Sequence, residues 1–308
     1  MTEVNERVLL DEEFRYATVS IEHLEELQRD FDDLYEEGHL SDNKTFLSYI
    51  EGKRYAVPDS FPEAKSVVVL AVRTPLALVN FRADGKQYET IVPPQYYSSG
   101  RTVEQIMNTI HQKIIGEPGS RLEYANQHLL LKRLAVRSGL GRYGRNNICY
   151  VDGMGTLLTL HAFFSDHEFS TDNWVEARMM DECHNCTICM DSCPQGCISE
   201  DKFVIDVGRC VTLYNEIGGE FPEFIHPDSH NALMGCMKCQ APCPANQDVL
   251  KRTIRLEDVI SEETQAILEG NHTEELLGTL GRKLRGFGGL PSPEAFAVLR
   301  RNLSVLIS

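Results

Sequence analysis

The chain has 308 residues, 42% of them hydrophobic and 25% charged, which is enough to bury a substantial core and excludes global disorder. Its net charge of −16 argues against a broad electrostatic grip on nucleic acid, whose affinity comes largely from Lys and Arg on phosphates. The stretch MTEVNERVLL lacks the features of a secretion signal, and no run of about 18 apolar residues occurs. We expect a cytoplasmic protein without membrane association and without a nucleic-acid partner.

The first part of the chain, residues 1–175, mixes helical and strand patterns. In VSIEHLEELQRDFDDLYEEG the apolar residues recur at helical spacing, and Gly38 marks the end of that pattern. KSVVVLAV and TLLTLHAFF are runs typical of buried strands. The predicted elements are a helix over 21–34, a strand over 65–72, helices over 102–115 and 122–138, and a strand over 156–164. This pattern predicts a mixed α/β (α+β) domain.

Two further parts follow. Residues 176–250 carry nine of the ten cysteines and little regular pattern, so metal ligation is expected to hold this module together. Residues 251–308 contain RLEDVISEETQAIL and EAFAVLRRNLSVLI, which are predicted helices joined by the Gly-rich turn GFGGLPSP. We expect this last part to be a helical segment that packs on the core.

The first cysteine run has the spacing of bacterial ferredoxins. It reads CxxCxxCxxxCP, with its four cysteines at Cys183, Cys186, Cys189 and Cys193. In two-cluster proteins of this kind, the first three thiolates bind one [4Fe–4S] cluster and the cysteine before proline binds the other. The run therefore predicts a second cluster.

The second run repeats the pattern incompletely. CxxCxxxCP recurs as Cys236, Cys239 and Cys243, but Leu233 stands where the first cysteine would be. By the exchange of ligands between clusters, Cys243 joins Cys183, Cys186 and Cys189 in cluster 1. Cluster 2 then has Cys193, Cys236 and Cys239 and lacks one ligand.

Three cysteines could supply that ligand, of which Cys149 lies outside the module. Cys210, in VIDVGRCVTLYNE, follows a predicted strand and is favoured, whereas Cys197 is expected to pack beside the cluster. Cys197 as the ligand, or a ligand other than cysteine, remain alternatives. A zinc site is disfavoured because the repeated CxxC-x3-CP exchange has no role in an isolated tetrahedral site.

SGLGRYGRNN, residues 138–147, is the one Gly-rich stretch that draws attention in the first part. Neither a P-loop nor a GxGxxG motif between a strand and a helix occurs. Small residues here would let the backbone approach a large flat ligand, and Arg142, Arg145 and Asn146 could donate hydrogen bonds to it. A Gly-rich helix C-terminus explains much of the same pattern.

The order of motifs LAVRSGLGRYGRN, TLLTLHAFFSD, CHNCTICMDSCPQGCI, GRCVTLYNE and GCMKCQAPCPAN resembles the cobalamin-dependent epoxyqueuosine reductases, and more distantly the reductive dehalogenases, over about residues 60–250. The resemblance implies a nitroreductase-like domain that holds base-off cobalamin beside one cluster, and it supports Cys210 as a ligand. It also implies that the Gly-rich stretch lines the corrin pocket through Gly139, Gly141, Arg142, Tyr143, Gly144, Arg145 and Asn146.

One departure concerns the proton donor. Epoxyqueuosine reductases carry an acidic residue about ten positions before the Gly-rich motif, and the matching positions here are Ala125 and Asn126. Neither can act as a general acid at neutral pH. Tyr124 and His128 are the candidates nearby, since the surroundings of either side chain could tune it to give a proton.

The resemblance implies a cobalamin-dependent iron–sulfur oxidoreductase. Electrons from a low-potential donor such as ferredoxin or flavodoxin would pass through two [4Fe–4S] clusters to cobalamin and reduce a small-molecule substrate. The first alternative is an electron-transfer protein that docks or reduces a partner, for example a corrinoid protein, and has no substrate of its own. The second is an epoxyqueuosine reductase in tRNA modification.

Overall fold

The computed structural model describes residues 13–116 and 119–308. The chain divides into two compact units. Of the described residues, the first unit comprises 13–73, 101–116, 119–186 and Lys202–Val204, and the second comprises Thr74–Gly100, Thr187–Asp201 and Ile205–Ser308. The division into parts at residues 175 and 250 stays a prediction.

The described residues form nine strands: β1 (Phe14–Ser20), β2 (Ser66–Arg73), β3 (Leu76–Ala83), β4 (Lys86–Val92), β5 (Leu122–Tyr124), β6 (Arg142–Tyr143), β7 (Cys149–Tyr150), β8 (Leu158–Ser165) and β9 (Thr253–Arg255). They also form nine α-helices: α1 (Leu24–Glu36), α2 (Lys44–Ile50), α3 (Val103–Ile110), α4 (Leu131–Arg137), α5 (Ile188–Asp191), α6 (Val211–Glu216), α7 (Ser261–Glu269), α8 (Glu274–Lys283) and α9 (Pro293–Ile307). A π-helical turn, His111–Ile115, continues α3. The predicted mixed α/β fold with a helical C-terminal part is confirmed.

The first unit is built on an antiparallel sheet with the order β1-β2-β8-β5. Its central strand β2 is buried at every position but the last, which accounts for its unbroken β-branched sequence. Alternate residues of β2 enter two cores, one on each face of the sheet: Val69 packs in the first with α1 and α4, and Leu70 packs in the second with α3. The predicted strands over 65–72 and 156–164 and the helix ending before Gly38 are confirmed.

The helix expected over 122–138 is wrong in its first half. Leu122–Tyr124 pairs with β8 at the edge of the sheet, and the helix begins only at Leu131. Between them the Asn126 side chain donates to the Leu160 carbonyl (3.1 Å) and accepts from the Ala162 amide (2.9 Å). This side chain satisfies the backbone of β8, so a tertiary contact overrides the local helical pattern.

The second unit holds the sheet β4-β3-β9 and the three C-terminal helices. The β3–β4 hairpin turns through Asp84 (φ 51°) and Gly85 (φ 72°), the Asp-Gly pair typical of such turns. That hairpin and α8 were not predicted. In RLEDVISEETQAIL the helix begins only at Ser261, whereas α9 confirms the helix expected in EAFAVLRRNLSVLI.

Candidate iron–sulfur centre

Four cysteines of the second unit influence one another electrostatically, and they are the four predicted for cluster 2: Cys193, Cys210, Cys236 and Cys239. Burial raises the pKa of Cys236 to about 11, and the charges of Cys210 and Cys193 add to the rise. Burial also raises the pKa of Cys239, and the other three thiols raise it further. Neighbouring thiolates that repel one another are stabilised by a positively charged metal centre.

Among the side chains that the structure describes, no group of three or more His, Cys, Asp or Glu is placed to hold a single metal ion. A [4Fe–4S] cluster bonds its thiolates through four separate iron atoms. Its ligands therefore surround the cluster and do not converge on one point.

Backbone amides face two of these sulfurs. The Cys197 amide donates to Cys193 Sγ (3.3 Å), and the Lys238 amide donates to Cys236 Sγ (3.4 Å). A hydrogen bond from the Cys197 thiol is the largest influence on Cys193 and lowers its pKa to about 5, with backbone amides of the same turn contributing. Hydrogen bonds to sulfur stabilise thiolate, the form that binds iron. The thiols and amides of this site thus fit a [4Fe–4S] cluster.

Cys210 and Cys197 occupy different places in this group. Cys210 is the N-cap of α6 and follows the 3₁₀ turn Val207–Arg209, so the strand expected before it is wrong. The Cys197 thiol donates to Cys210 and lowers its pKa to about 7, with Thr212 adding to the effect. Cys197 is buried and its own pKa is raised, first because its proton is shared with Cys193 and then with Cys210. The choice of Cys210 rather than Cys197 as the fourth ligand of cluster 2 stays a prediction.

Leu233, which replaces the missing cysteine of the repeat, is fully buried in the core of the second unit. Its amide donates to the Ile91 carbonyl (2.7 Å), and its carbonyl accepts from Asn302 Nδ2 (2.9 Å). The position contributes to packing between the hairpin and α9.

The ligands predicted for cluster 1 are distributed over both units. Cys183 and Cys186 belong to the first unit, and Cys189 and Cys243 belong to the second. Their assembly into one ligand set stays a prediction. Within the second unit, Cys189 lies near enough to Cys239 to raise the pKa of that thiol, after burial and the three nearer thiols.

The glycines of SGLGRYGRNN face protein atoms. Gly139 follows the C-cap Ser138 of α4 and has a φ of 72°, the left-handed conformation that glycine commonly adopts just after a helix. A Cβ on Gly141 would lie 2.5 Å from Cys149 Sγ, and a Cβ on Gly144 would lie 2.5 Å from a Tyr150 ring carbon. The close approach that the sequence suggested is thus made by the protein's own side chains.

The polar residues of this loop are engaged as well. Asn146 is 2% exposed and donates to the Tyr150 hydroxyl (3.0 Å). Arg142 pairs with Asp152 (3.1 Å), and Tyr143 is buried in the first core. Arg145 donates to backbone carbonyls of residues 183–186. The role of these seven residues at a corrin therefore stays a prediction.

The structure separates Tyr124 from this loop. Tyr124 pairs with Phe163 across β5 and β8, and both pack in the second core, whereas Leu140 and Tyr143 pack in the first core on the opposite face of the sheet. The Tyr124 hydroxyl lies 3.2 Å from His161 Nδ1. Burial raises the pKa of Tyr124 and lowers that of His161 to about 4. His161 was not predicted, because one histidine in an apolar strand gives no signal of a role.

His128 lies between β5 and α4, where its backbone carbonyl accepts from the Arg54 amide (2.9 Å). The role of proton donor stays a prediction for both Tyr124 and His128. Asn126, the non-acidic residue at the family's donor position, bridges to β8 as described for the fold.

The cysteine geometry agrees with a family comparison. Residues 182–246 match the family model described as a 4Fe-4S double cluster binding domain. This match confirms the predicted two-cluster module and places the chain among iron–sulfur proteins.

Sequence relatives of the chain are epoxyqueuosine reductases, as the motif order predicted. The enzyme of Aliivibrio fischeri is 28% identical over 173 residues, which cover 56% of this chain and 43% of that protein. The enzyme of Staphylococcus aureus is 26% identical over 204 residues, covering 62% of this chain and 50% of that protein. The matches thus span half or less of these relatives.

Solved structures confirm the shared fold. An epoxyqueuosine reductase from Streptococcus thermophilus superposes with a TM-score of 0.67 at 18% identity, covering 95% of this chain and 76% of that chain. Another, crystallised with an epoxyqueuosine-modified tRNA stem loop, has a TM-score of 0.64 at 17% identity, with the same two coverages.

That complex conflicts with the expectation that nucleic acid is excluded as a partner. The expectation used the net charge of the whole chain, and a local basic surface can bind phosphate on an acidic protein. For the membrane, no helix among the described residues is long and apolar enough to span a bilayer.

Proposed function

We propose that this chain is an iron–sulfur oxidoreductase that takes electrons from a low-potential donor, such as ferredoxin or flavodoxin, and delivers them to a substrate through two [4Fe–4S] clusters. When bound, the clusters supply one-electron transfer. The chain's residues bind the iron, set the hydrogen bonds to sulfur and control access to solvent.

The observation that carries the proposal is the group of four thiols in the second unit. Cys193 and Cys236 each accept a backbone N–H, and hydrogen bonds lower the pKa of Cys193 to about 5. Burial raises the pKa of Cys236 and Cys239, so these two thiols need the positive charge of iron to ionise as ligands.

The sequence resemblance implied one particular electron acceptor, whereas we propose none. Base-off cobalamin with a small-molecule substrate was the expected acceptor, but the Gly-rich loop gives it no support, because Gly141 and Gly144 face Cys149 and Tyr150. We therefore propose electron relay without a corrin step. An electron-transfer protein that reduces a partner agrees with this arrangement as well.

A second candidate function is epoxyqueuosine reduction on tRNA, favoured by the names of the sequence relatives. Against it stands the non-acidic Asn126 at the donor position, whose side chain is held by β8.

The test reconstitutes the clusters anaerobically, reduces them with flavodoxin and its reductase, and follows cluster reoxidation after each acceptor is added. The acceptors are cob(II)alamin and tRNA carrying epoxyqueuosine. Reduction by flavodoxin is expected, and clusters that flavodoxin cannot reduce would overturn the relay. Reoxidation with formation of queuosine would select the second candidate, and stoichiometric binding of base-off cobalamin would restore the corrin.

A further inference from the structure

Arg145 binds the turn that carries the first two cysteines of cluster 1. Its Nε donates to the Cys186 carbonyl (3.0 Å), and one Nη donates to the carbonyls of Cys183 (2.6 Å) and His184 (3.3 Å). All four residues belong to the first unit. One guanidinium therefore gathers three carbonyls of the CxxC turn around itself.

The strand before Arg145 fixes the segment that leads into the turn. The Tyr143 amide donates to the Arg178 carbonyl (3.2 Å), and the Met180 amide donates to the Tyr143 carbonyl (2.8 Å). The Cys183 amide then donates to the Met180 carbonyl (3.0 Å). The loop that resembles a cofactor motif thus orients the cysteine turn from two sides, through β6 and through Arg145.

The chemistry of the side chain suits this place. A guanidinium presents several donors in a rigid plane and keeps its charge at any ordinary pH. Among the described residues, the side-chain hydrogen bonds of Arg145 go to backbone carbonyls and none goes to a carboxylate. A fixed cation beside a cluster stabilises the reduced state, which carries one more negative charge, and so raises the reduction potential.

We propose that Arg145 is the positioning residue of cluster 1: it orders the turn of Cys183 and Cys186 for iron binding, and its charge raises the reduction potential of that cluster relative to cluster 2. This proposal rests on the proposed function, since it needs both clusters. It assigns to Arg145 a role at the cysteines in place of the corrin contact implied by resemblance.

Three variants separate charge from geometry. Arg145→Gln removes both the charge and the three-carbonyl fork. Arg145→Lys keeps the charge but loses the planar fork. Arg142→Gln is the matched control, because Arg142 lies three residues before Arg145 in the same loop and pairs with Asp152.

The measurements are a redox titration followed by electron paramagnetic resonance, and the rate of iron loss to a chelator. In R145Q one of the two midpoint potentials should fall while the other stays, and iron should be lost several-fold faster. R145K should keep both midpoints near wild type but lose iron faster, and R142Q should match wild type in both measurements.

Each contrary result has its own meaning. Wild-type protein that assembles fewer than two clusters contradicts the proposed function. Two clusters with R145Q indistinguishable from R142Q would overturn only the role of Arg145, as would an equal shift of both midpoints. If R145Q does not fold, R145K decides alone, and a rate of iron loss equal to wild type would overturn the positioning role.

Discussion

The backbone amide of Cys197 donates a hydrogen bond to Sγ of Cys193, with 3.3 Å between the nitrogen and the sulfur. Cys197 is buried, and its neighbours Cys193 and Cys210 raise the pKa of its thiol. The backbone of this fifth cysteine thus donates to Cys193, a predicted ligand of cluster 2.

The first prediction compares Cys210→Ala with Cys197→Ala. Because Cys210 is the predicted fourth ligand of cluster 2, its loss should reduce the iron content from about eight to about four atoms per chain. Cys197→Ala should keep the iron content and lower the stability of cluster 2 towards a chelator. Iron and sulfide analysis after anaerobic reconstitution measures both, and a reversed pattern would assign the ligand role to Cys197.

The second prediction concerns the gap in the cysteine repeat. Leu233→Cys in the Cys210→Ala background should not restore the lost iron, because position 233 is fully buried in the apolar core and both its backbone groups are held there. The same iron analysis checks it, with Cys210→Ala alone as the reference. Full recovery of the iron would show that the repeat position still reaches the cluster.

The third prediction tests the packing of the Gly-rich loop. Gly141→Ala should lower the free energy of unfolding of the apo-protein by about 1–3 kcal/mol, because the new methyl group meets Cys149 Sγ and the Tyr150 carbonyl. Gly278→Ala is the control: it lies within α8 with nothing near its Cβ position and should stabilise by about 0.5–1 kcal/mol. Denaturant unfolding measures both, and a Gly141→Ala variant as stable as wild type would argue that the loop's glycines serve a ligand.

The fourth prediction is a pH dependence from His161. Burial lowers its pKa from 6.5 to about 4, so the folded protein binds fewer protons than the unfolded chain between these values. Above pH 6.5 the free energy of unfolding keeps its full value. As the pH falls towards 4, protonation of His161 in the unfolded chain lowers that free energy by on the order of 2–3 kcal/mol.

His161→Gln should flatten that dependence. Unfolding free energies of the apo-protein at several pH values give the slope. A slope that His161→Gln leaves unchanged would assign the acid sensitivity to other groups.

The sequence predicted those helices and strands in which hydrophobic residues recur at a regular spacing and in which one face, or the whole element, is buried. The run at 65–72 became β2, and the helix ending before Gly38 became α1, because both patterns match the surfaces that they bury. The cysteine spacing predicted a two-cluster module because the CxxCxxCxxxCP spacing is typical of proteins whose two clusters exchange a ligand. The Asp84-Gly85 hairpin had a readable turn signal that was overlooked.

Other features depended on tertiary contacts that no local pattern contains. Leu122–Tyr124 is a strand only because β8 offers it an edge, and Asn126 reaches that strand through its side chain. Likewise, the sequence could not tell whether Gly141 stands against a ligand or against Cys149, which lies eight positions along the chain. The role inferred for Arg145 arises from the same kind of contact, with carbonyls about forty residues away.

The central claim is that this chain binds two [4Fe–4S] clusters with cysteines shared between the two runs. Mössbauer spectroscopy of protein reconstituted with ⁵⁷Fe tests it most directly, together with the iron content per chain. The account predicts about eight iron atoms per chain, all with the parameters of [4Fe–4S] clusters. About four iron atoms in one cluster, or iron bound as single tetrahedral ions, would contradict it.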